Sequence, residues 1–339
     1  MRVAAAHAGT DPGRKRRINE DSFVIAPPLF AVADGMGGAQ AGEVASALAA
    51  GALEESGANG GGERRVSELI QEANRRVHER ATTDAATAGM GTTITAALVE
   101  SDGRVVFGHV GDSRAYLLRD DKLEQLTNDH TLVAELVRRG ELSPGEAQVH
   151  PQRSVITRAL GTDPDVDVDT FAVDAQAGDI FLICSDGLSS MVDSRDIEEI
   201  LQKHRADLEG ASKALIQAAN RGGGEDNITA VLFAVEEEEP GRHAGEPDEQ
   251  TRDFAPVPEE EDTLHPEDGI APPPPAPSAV DTMVVPASDI QAAIAAQTVS
   301  ENTVQDAPQA GIGRRLLALL VILGLIAIIV VLVWWGLAR

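Results

Sequence analysis

One cysteine, one tyrosine and two tryptophans occur in 339 residues, and aromatic residues make up 3% of the chain. No disulfide can form within such a chain, and nothing supports a zinc site built on Cys and His. The lone cysteine, Cys184, ends the apolar run Ile180-Phe181-Leu182-Ile183-Cys184 and reads as a small buried hydrophobe rather than a nucleophile. Positive charge is also scarce. Lys and Arg total 28 against 55 Asp and Glu, a net charge of −27. A chain this acidic lacks the basic surface that nucleic acid requires, so no nucleic-acid partner is expected. A phosphate-binding G-x-x-x-x-G-K-[ST] phrase is missing. Gly35-Met36-Gly37-Gly38 opens like a dinucleotide loop, but a G-x-G-x-x-G phrase from Gly35 would need glycine where Gln40 stands.

The acidity is uneven. Positions 236 to 313 hold 18 acidic residues against Arg242 and Arg252. That stretch is rich in Pro and Ala and nearly free of aromatics, so it cannot bury enough apolar surface to offset its ordering entropy. Positions 316–338 are 23 residues without a charge, dominated by Leu, Ile and Val, with Trp334 and Trp335 near the far end. About 20 such residues span a bilayer as a helix. Arg314 and Arg315 precede the run and Arg339 follows it, a bias that places the amino-terminal side in the cytoplasm. The expected organisation is a globular domain over 1–236, a disordered acidic linker over 237–313 and a single-pass anchor in the cell membrane over 314–339.

Within the globular part, β-branched and apolar runs bounded by Gly and Asp predict strands over 2–7, 29–33, 92–99, 105–110, 115–118, 166–173, 179–184 and 228–235. Apolar residues spaced three to five apart predict helices over 39–55, 63–82, 131–138, 195–204 and 206–221. The strands come in consecutive runs with helical pairs between and after them. This order suits antiparallel meanders, with helices packed outside two sheets, better than alternating βαβ units.

Chemistry concentrates in carboxylates. Asn19-Glu20-Asp21 and Ala33-Asp34-Gly35 lie near the amino end, and Ser185-Asp186-Gly187 and Glu225-Asp226-Asn227 far downstream. A single Asp-Gly pair is ordinarily a turn. Here two apolar strands, 29–33 and 180–184, each deliver an aspartate at the carboxyl end, and Asp226 sits just before a third. Carboxylates gathered at strand ends repel one another unless hard divalent cations lie between them.

Six phrases occur in order: Arg16-x-x-Asn19-Glu20-Asp21, Ala33-Asp34-Gly35-Met36-Gly37-Gly38, Gly91-Thr92-Thr93, Gly111-Asp112-Ser113-Arg114, Cys184-Ser185-Asp186-Gly187-Leu188 and Gly224-Glu225-Asp226-Asn227-Ile228-Thr229. Together they resemble the type 2C metal-dependent serine/threonine protein phosphatases, especially the bacterial branch, over roughly residues 3–235. The resemblance implies an α+β fold, an α-β-β-α sandwich of two antiparallel sheets flanked by helices. It implies two Mn²⁺ or Mg²⁺ ions bridged by Asp34, with Asp186 and Asp226 completing one shell. The Gly35 carbonyl would bind the second ion, and Glu20 and Asp21 would reach the ions through water. Asp112 and Asp186 would hold a weaker third ion. Arg16 would bind substrate phosphate, although by its residues alone the run Arg14–Arg17 reads as a solvated basic face. A flap would fall between about 129 and 160, with no conformation fixed by its sequence.

The implied reaction is hydrolysis of phosphate monoesters on phosphorylated proteins by a water or hydroxide held on the two ions, opposing Ser/Thr kinases. One departure stands out: Met36 occupies the position where eukaryotic members often carry a histidine. The competing expectation is a catalytically silent scaffold whose acidic tail recruits partners.

Overall fold

Antiparallel pairing dominates the computed structural model, which describes residues 1–37, 41–57, 61–237 and 283–284. The acidic linker, apart from two residues of backbone, and the apolar run 316–338 lie outside the described residues. Among the described residues no helix is long and apolar enough to cross a membrane.

The chain opens with strands β1 (Arg2–Asp11), β2 (Asp21–Ala26) and β3 (Leu29–Met36), then helices α1 (Ala41–Ser56) and α2 (Gly62–Thr83). Strands β4 (Gly91–Thr92), β5 (Ile94–Val99), β6 (Arg104–Val110), β7 (Arg114–Arg119) and β8 (Lys122–Gln125) follow. Short helices α3 (Leu132–Arg138) and α4 (Pro144–Gln148) and strand β9 (Val155–Ile156) occupy the segment where a flap is expected. Strands β10 (Asp169–Asp174) and β11 (Ile180–Cys184) lead into helices α5 (Asp186–Ser189), α6 (Ser194–Lys203) and α7 (Leu208–Gly222). Strand β12 (Ile228–Glu236) closes the domain, and β13 (Met283–Val284) pairs in parallel with β9.

One sheet runs β1-β12-β11-β7-β8 and the other β10-β6-β5-β3-β2, with β4 added to β3. Every pair in both is antiparallel. Alternation along the strands sorts side chains into three clusters. Phe30, Val32 and Phe107 from one sheet meet Phe181, Val231 and Phe233 from the other. Phe30 stacks on Phe233 with ring centroids 4.3 Å apart, and Phe181 lies 5.0 Å from Phe233. On the outer face of the β3 sheet, Ala45, Ala49 and Leu53 of α1 pack with Val66, Ile70 and Val77 of α2. On the other side Ile197 and Leu201 of α6 and Ala211 and Leu215 of α7 cover Tyr116, Leu182 and Cys184. Helices, sheet, sheet and helices thus follow in layers, and Cys184 is buried as expected.

The structure corrects several element expectations. The strand expected over 2–7 continues to Asp11, and that over 166–173 begins only at Asp169. Strand 92–99 divides at Thr93, whose backbone turns to Asp34. The strands β2 and β8 and the short helices α4 and α5 were not anticipated.

Candidate active site

Strand ends from both sheets meet at one pocket. Strand β3 carries Asp34 and Gly35 at its end. Strand β11 passes through Ser185, the residue capping α5, into Asp186. Asp226 immediately precedes β12, Asp112 occupies the turn between β6 and β7, and Arg16 and Glu20 lie in the loop between β1 and β2. These seven residues line the pocket together with Met36, Gly37 and Ile156.

The eighth expected residue, Asp21, does not line the pocket. It stands opposite Asp34 in the β2–β3 ladder. Its Oδ2 accepts a 2.8 Å hydrogen bond from Ser185 Oγ, while Oδ1 is buried without a partner among the described residues. Arg114 also stays out of the wall, pairing with Asp129 at 2.6 Å.

Residues whose roles the sequence did not disclose hold this arrangement. The Asp34 backbone N–H donates to Thr93 Oγ1 at 3.1 Å, and Thr92 Oγ1 donates to the Asp34 carbonyl at 2.9 Å. Thr93 Oγ1 and Ser113 Oγ, 2.8 Å apart, tie that strand end to the Asp112 turn. Asn227 Oδ1 accepts from the Glu20 N–H at 2.8 Å, and its Nδ2 donates to the carbonyls of Pro12 and Ile18 at 3.1 and 3.0 Å. Asn227 therefore shapes the loop that presents Arg16. Each of these residues lies inside or beside a quoted phrase, which was the available signal. Backbones approach closely here: a Cβ on Gly35 would stand 2.1 Å from the Gly42 carbonyl oxygen, and one on Gly187 2.0 Å from that of Asn227.

The charge in the pocket is unbalanced. Glu20, Asp34, Asp112, Asp186 and Asp226 share the wall with one cation, Arg16, whose Nη2 reaches Asp226 Oδ2 at 2.8 Å. Burial opposes the charge of Arg16, but Asp226, Glu20 and Asp34 hold its pKa above the ordinary value. Burial, then the neighbouring Asp21, Asp186 and Asp226, pushes the Asp34 carboxyl well above the usual range. Burial and Asp186 do the same to Asp112. Asp21 rises to about 7, mainly by burial, and Asp186 to about 6 by burial and Asp226. Burial also raises Glu20, against the pull of Arg16.

These observations fit divalent cations. The carboxylates and carbonyls of the wall offer oxygen, with no thiolate or imidazole and only the Met36 thioether as sulfur, a set that suits Mn²⁺ or Mg²⁺ over zinc. The orphaned Asp21 Oδ1 and the elevated carboxyls both mark missing positive charge. Among the described residues no group of three or more acidic, His or Cys side chains is by itself placed to hold a metal ion. A site of this kind would take backbone carbonyls or water as its remaining ligands.

Comparison with known proteins agrees. Residues 14–219 match the protein phosphatase 2C family. The chain is 42% identical over 247 residues to the serine/threonine phosphatase stp of Listeria innocua, covering 69% of this chain and 97% of that one. It is 42% identical over 231 residues to the serine/threonine protein phosphatase PstP of Mycobacterium tuberculosis, covering 67% of this chain and 44% of PstP. The crystal structure of the M. tuberculosis phosphatase superposes with a TM-score of 0.66 at 41% identity, over 69% of this chain and 100% of that chain. A PstP catalytic domain in complex with two manganese ions superposes with a TM-score of 0.64 at 38% identity, over 70% of this chain and all of that one. The fold, the ordered phrases and these likenesses converge: this chain belongs to the protein phosphatase 2C family.

Proposed function

We propose that this protein hydrolyses phosphoserine and phosphothreonine esters on proteins, using two Mn²⁺ or Mg²⁺ ions held in the pocket. The observation that carries this reading is the convergence of carboxylates from both sheets on one wall, opposed by Arg16 alone. Asp34 would bridge the ions, with Asp186, Asp226 and the Gly35 carbonyl as further ligands. Asp112 would join Asp186 on a weaker third ion, and Glu20 and Asp21 would act through water. Bound there, the ions supply Lewis acidity, lowering the pKa of water and screening the phosphoryl oxygens.

The chain's own groups do the rest. Arg16 gives its guanidinium fork to two phosphate oxygens, a geometry that Lys cannot reproduce. Burial and the neighbouring carboxylates favour the protonated forms of Asp34 and Asp186, a preference that positive charge in the pocket would reverse. Met36 packs with Ile156 and Ala159 as an apolar lip, so no side chain at position 36 protonates the departing serine or threonine oxygen. The scaffold reading finds no support in a pocket that retains each of these carboxylates.

The test is turnover of an aryl phosphate and of phosphothreonine peptides by the purified protein. Activity should vanish in excess chelator and return with Mn²⁺; full activity in chelator would overturn the reading. We further propose that 316–338 anchors the enzyme in the cell membrane with its catalytic domain on the cytoplasmic side, near membrane-bound kinases and their substrates. Deleting 314–339 should leave turnover of small esters unchanged and release the protein from the membrane fraction. Continued sedimentation with membranes would refute the anchor.

A further inference from the structure

Between the Asp112 turn and the flap lies a buried imidazole with no part in the reading above. His130 is 2% exposed. Its backbone N–H donates to the Gly111 carbonyl at 2.7 Å, and its Nδ1 accepts from the Gly111 N–H at 3.0 Å. One residue thus satisfies both backbone groups of the glycine that precedes Asp112. The turn has little slack. Gly111 has φ +112°, which side chains rarely adopt, and a Cβ there would stand 2.5 Å from Thr93 Cβ. Whatever fixes Gly111 therefore fixes the approach of Asp112.

The ring is locked in turn. With Nδ1 accepting, the proton sits on Nε2, which faces Asp169 Oδ2 at 3.1 Å. Arg158 Nη1 donates to Asp169 Oδ1 at 2.5 Å and stands 3.1 Å from His130 Nε2, which, carrying its proton, has no lone pair to offer it. His109 lies against the His130 ring with centroids 4.7 Å apart, and its own Nδ1 is 2.9 Å from Thr95 Oγ1. Burial, and Arg158 beside it, lower the proton affinity of His130, which preserves the Nδ1 lone pair. The main chain points the other way: the His130 carbonyl accepts from the Thr157 N–H at 2.9 Å, one residue beyond the pocket residue Ile156.

We propose that His130 is a positioning residue for Asp112, holding the Gly111 backbone through Nδ1 and joining the Asp112 turn to the flap through its own main chain. This rests on the reading of Asp112 as ligand to the weaker third ion. Groups that orient a ligand from behind commonly change metal affinity or activity by about 10–100-fold when removed. Losing the Nδ1 acceptor would also leave the Gly111 N–H buried and unpaired.

The test separates the two ring nitrogens in the full-length protein. His130→Asn places an amide oxygen near the Nδ1 position; His130→Gln reaches toward Nε2 and loses the Nδ1 acceptor. Mn²⁺ binding is followed by calorimetry, and turnover of an aryl phosphate by initial rates. His130→Gln should weaken the last Mn²⁺ binding event roughly tenfold. It should lower kcat at limiting Mn²⁺, with the two tight ions and KM unchanged. His130→Asn should restore both quantities. His130→Ala serves as a second loss variant. Equal behaviour of Asn and Gln overturns the proposal, as does a fold that survives only in the Asn variant. Asp112→Ala is measured alongside. If it keeps the weak Mn²⁺ event, the ligand reading of Asp112 falls and this inference with it. If it loses that event while His130→Gln keeps it, only the inference about His130 falls.

Discussion

Arg16 holds Asp226 at 2.8 Å, so a phosphate entering the pocket must share a guanidinium already engaged by a carboxylate. The contact keeps the side chain extended into the site before substrate arrives, which reduces the ordering cost of binding. Arg16→Ala should lower kcat/KM for a small ester on the order of 100-fold. Arg16→Lys should recover only part of the loss, because a point charge cannot fork. Arg17→Ala, one position along the same basic run, should change little. Equal effects at both positions would remove Arg16 from the phosphate site. The aspartates were legible because each sits in a short phrase beside a strand, whereas Arg16 stood out only through the family phrase. The sequence did not reveal that Asp21 stands behind the wall rather than in it. Nor did it reveal the work of Asn227, which reaches Pro12 across 215 positions, a contact that only the closed sheets create.

At the level of elements, the buried strands were legible and the edges were not. Strands β3, β5, β6, β11 and β12 are almost wholly buried and read as continuous apolar runs. Strand β2 lies at a sheet edge with only Val24 fully buried, and its first residue reads as part of an acidic phrase. Strand β8, Lys-Leu-Glu-Gln, has no apolar alternation. It exists because Asp120 and Asp121, with φ of 49° and 60°, form a two-residue hairpin turn of a kind that usually signals itself as Asn-Gly. Close approach between elements gives a paired test. Gly187→Ala drives a methyl into the Asn227 carbonyl and should cost roughly 1–3 kcal/mol of stability, with a larger loss of turnover as the Arg16 loop shifts. Gly51→Ala, in α1 with nothing within 4 Å, should stabilise by up to about 1 kcal/mol and leave turnover intact. Thermal melts beside initial rates decide both.

For the whole molecule, buried acids and buried histidines set opposite pH trends in the metal-free protein. Asp21, held at about 7, and Asp34 and Asp112, held well above the usual range, keep their protons in the folded state where the unfolded chain has lost them. Their contribution to stability is lost as pH rises through those folded values, so going from about pH 8 down to 6.5 should stabilise the fold. Below 6.5 an opposing contribution enters. His109 is pushed down to about 3 by burial, so the unfolded chain takes up a proton that the folded state refuses. Asp21, Asp34, Asp112 and, below about 6, Asp186 outnumber the buried histidines, so in chelator the melting temperature should keep rising as pH falls from 8 toward about 5, less steeply below 6.5; a melting temperature that rises steadily toward pH 8 would contradict the protonated cluster.

The two sheets meet through stacked phenylalanines, and no disulfide can join them in a chain with one cysteine. Asp34 belongs to one sheet, while Asp186 and Asp226 border strands of the other. Cations shared by these residues would rivet the sandwich shut at the end where the pocket opens. The rivet is removable, so affinity for metal and resistance to unfolding become a single measurable quantity. Each ion at 100 times its dissociation constant would add about 2.7 kcal/mol. For a domain of this size that raises the melting temperature by roughly 5–10 °C, an increment that chelator should erase and Asp34→Asn should abolish.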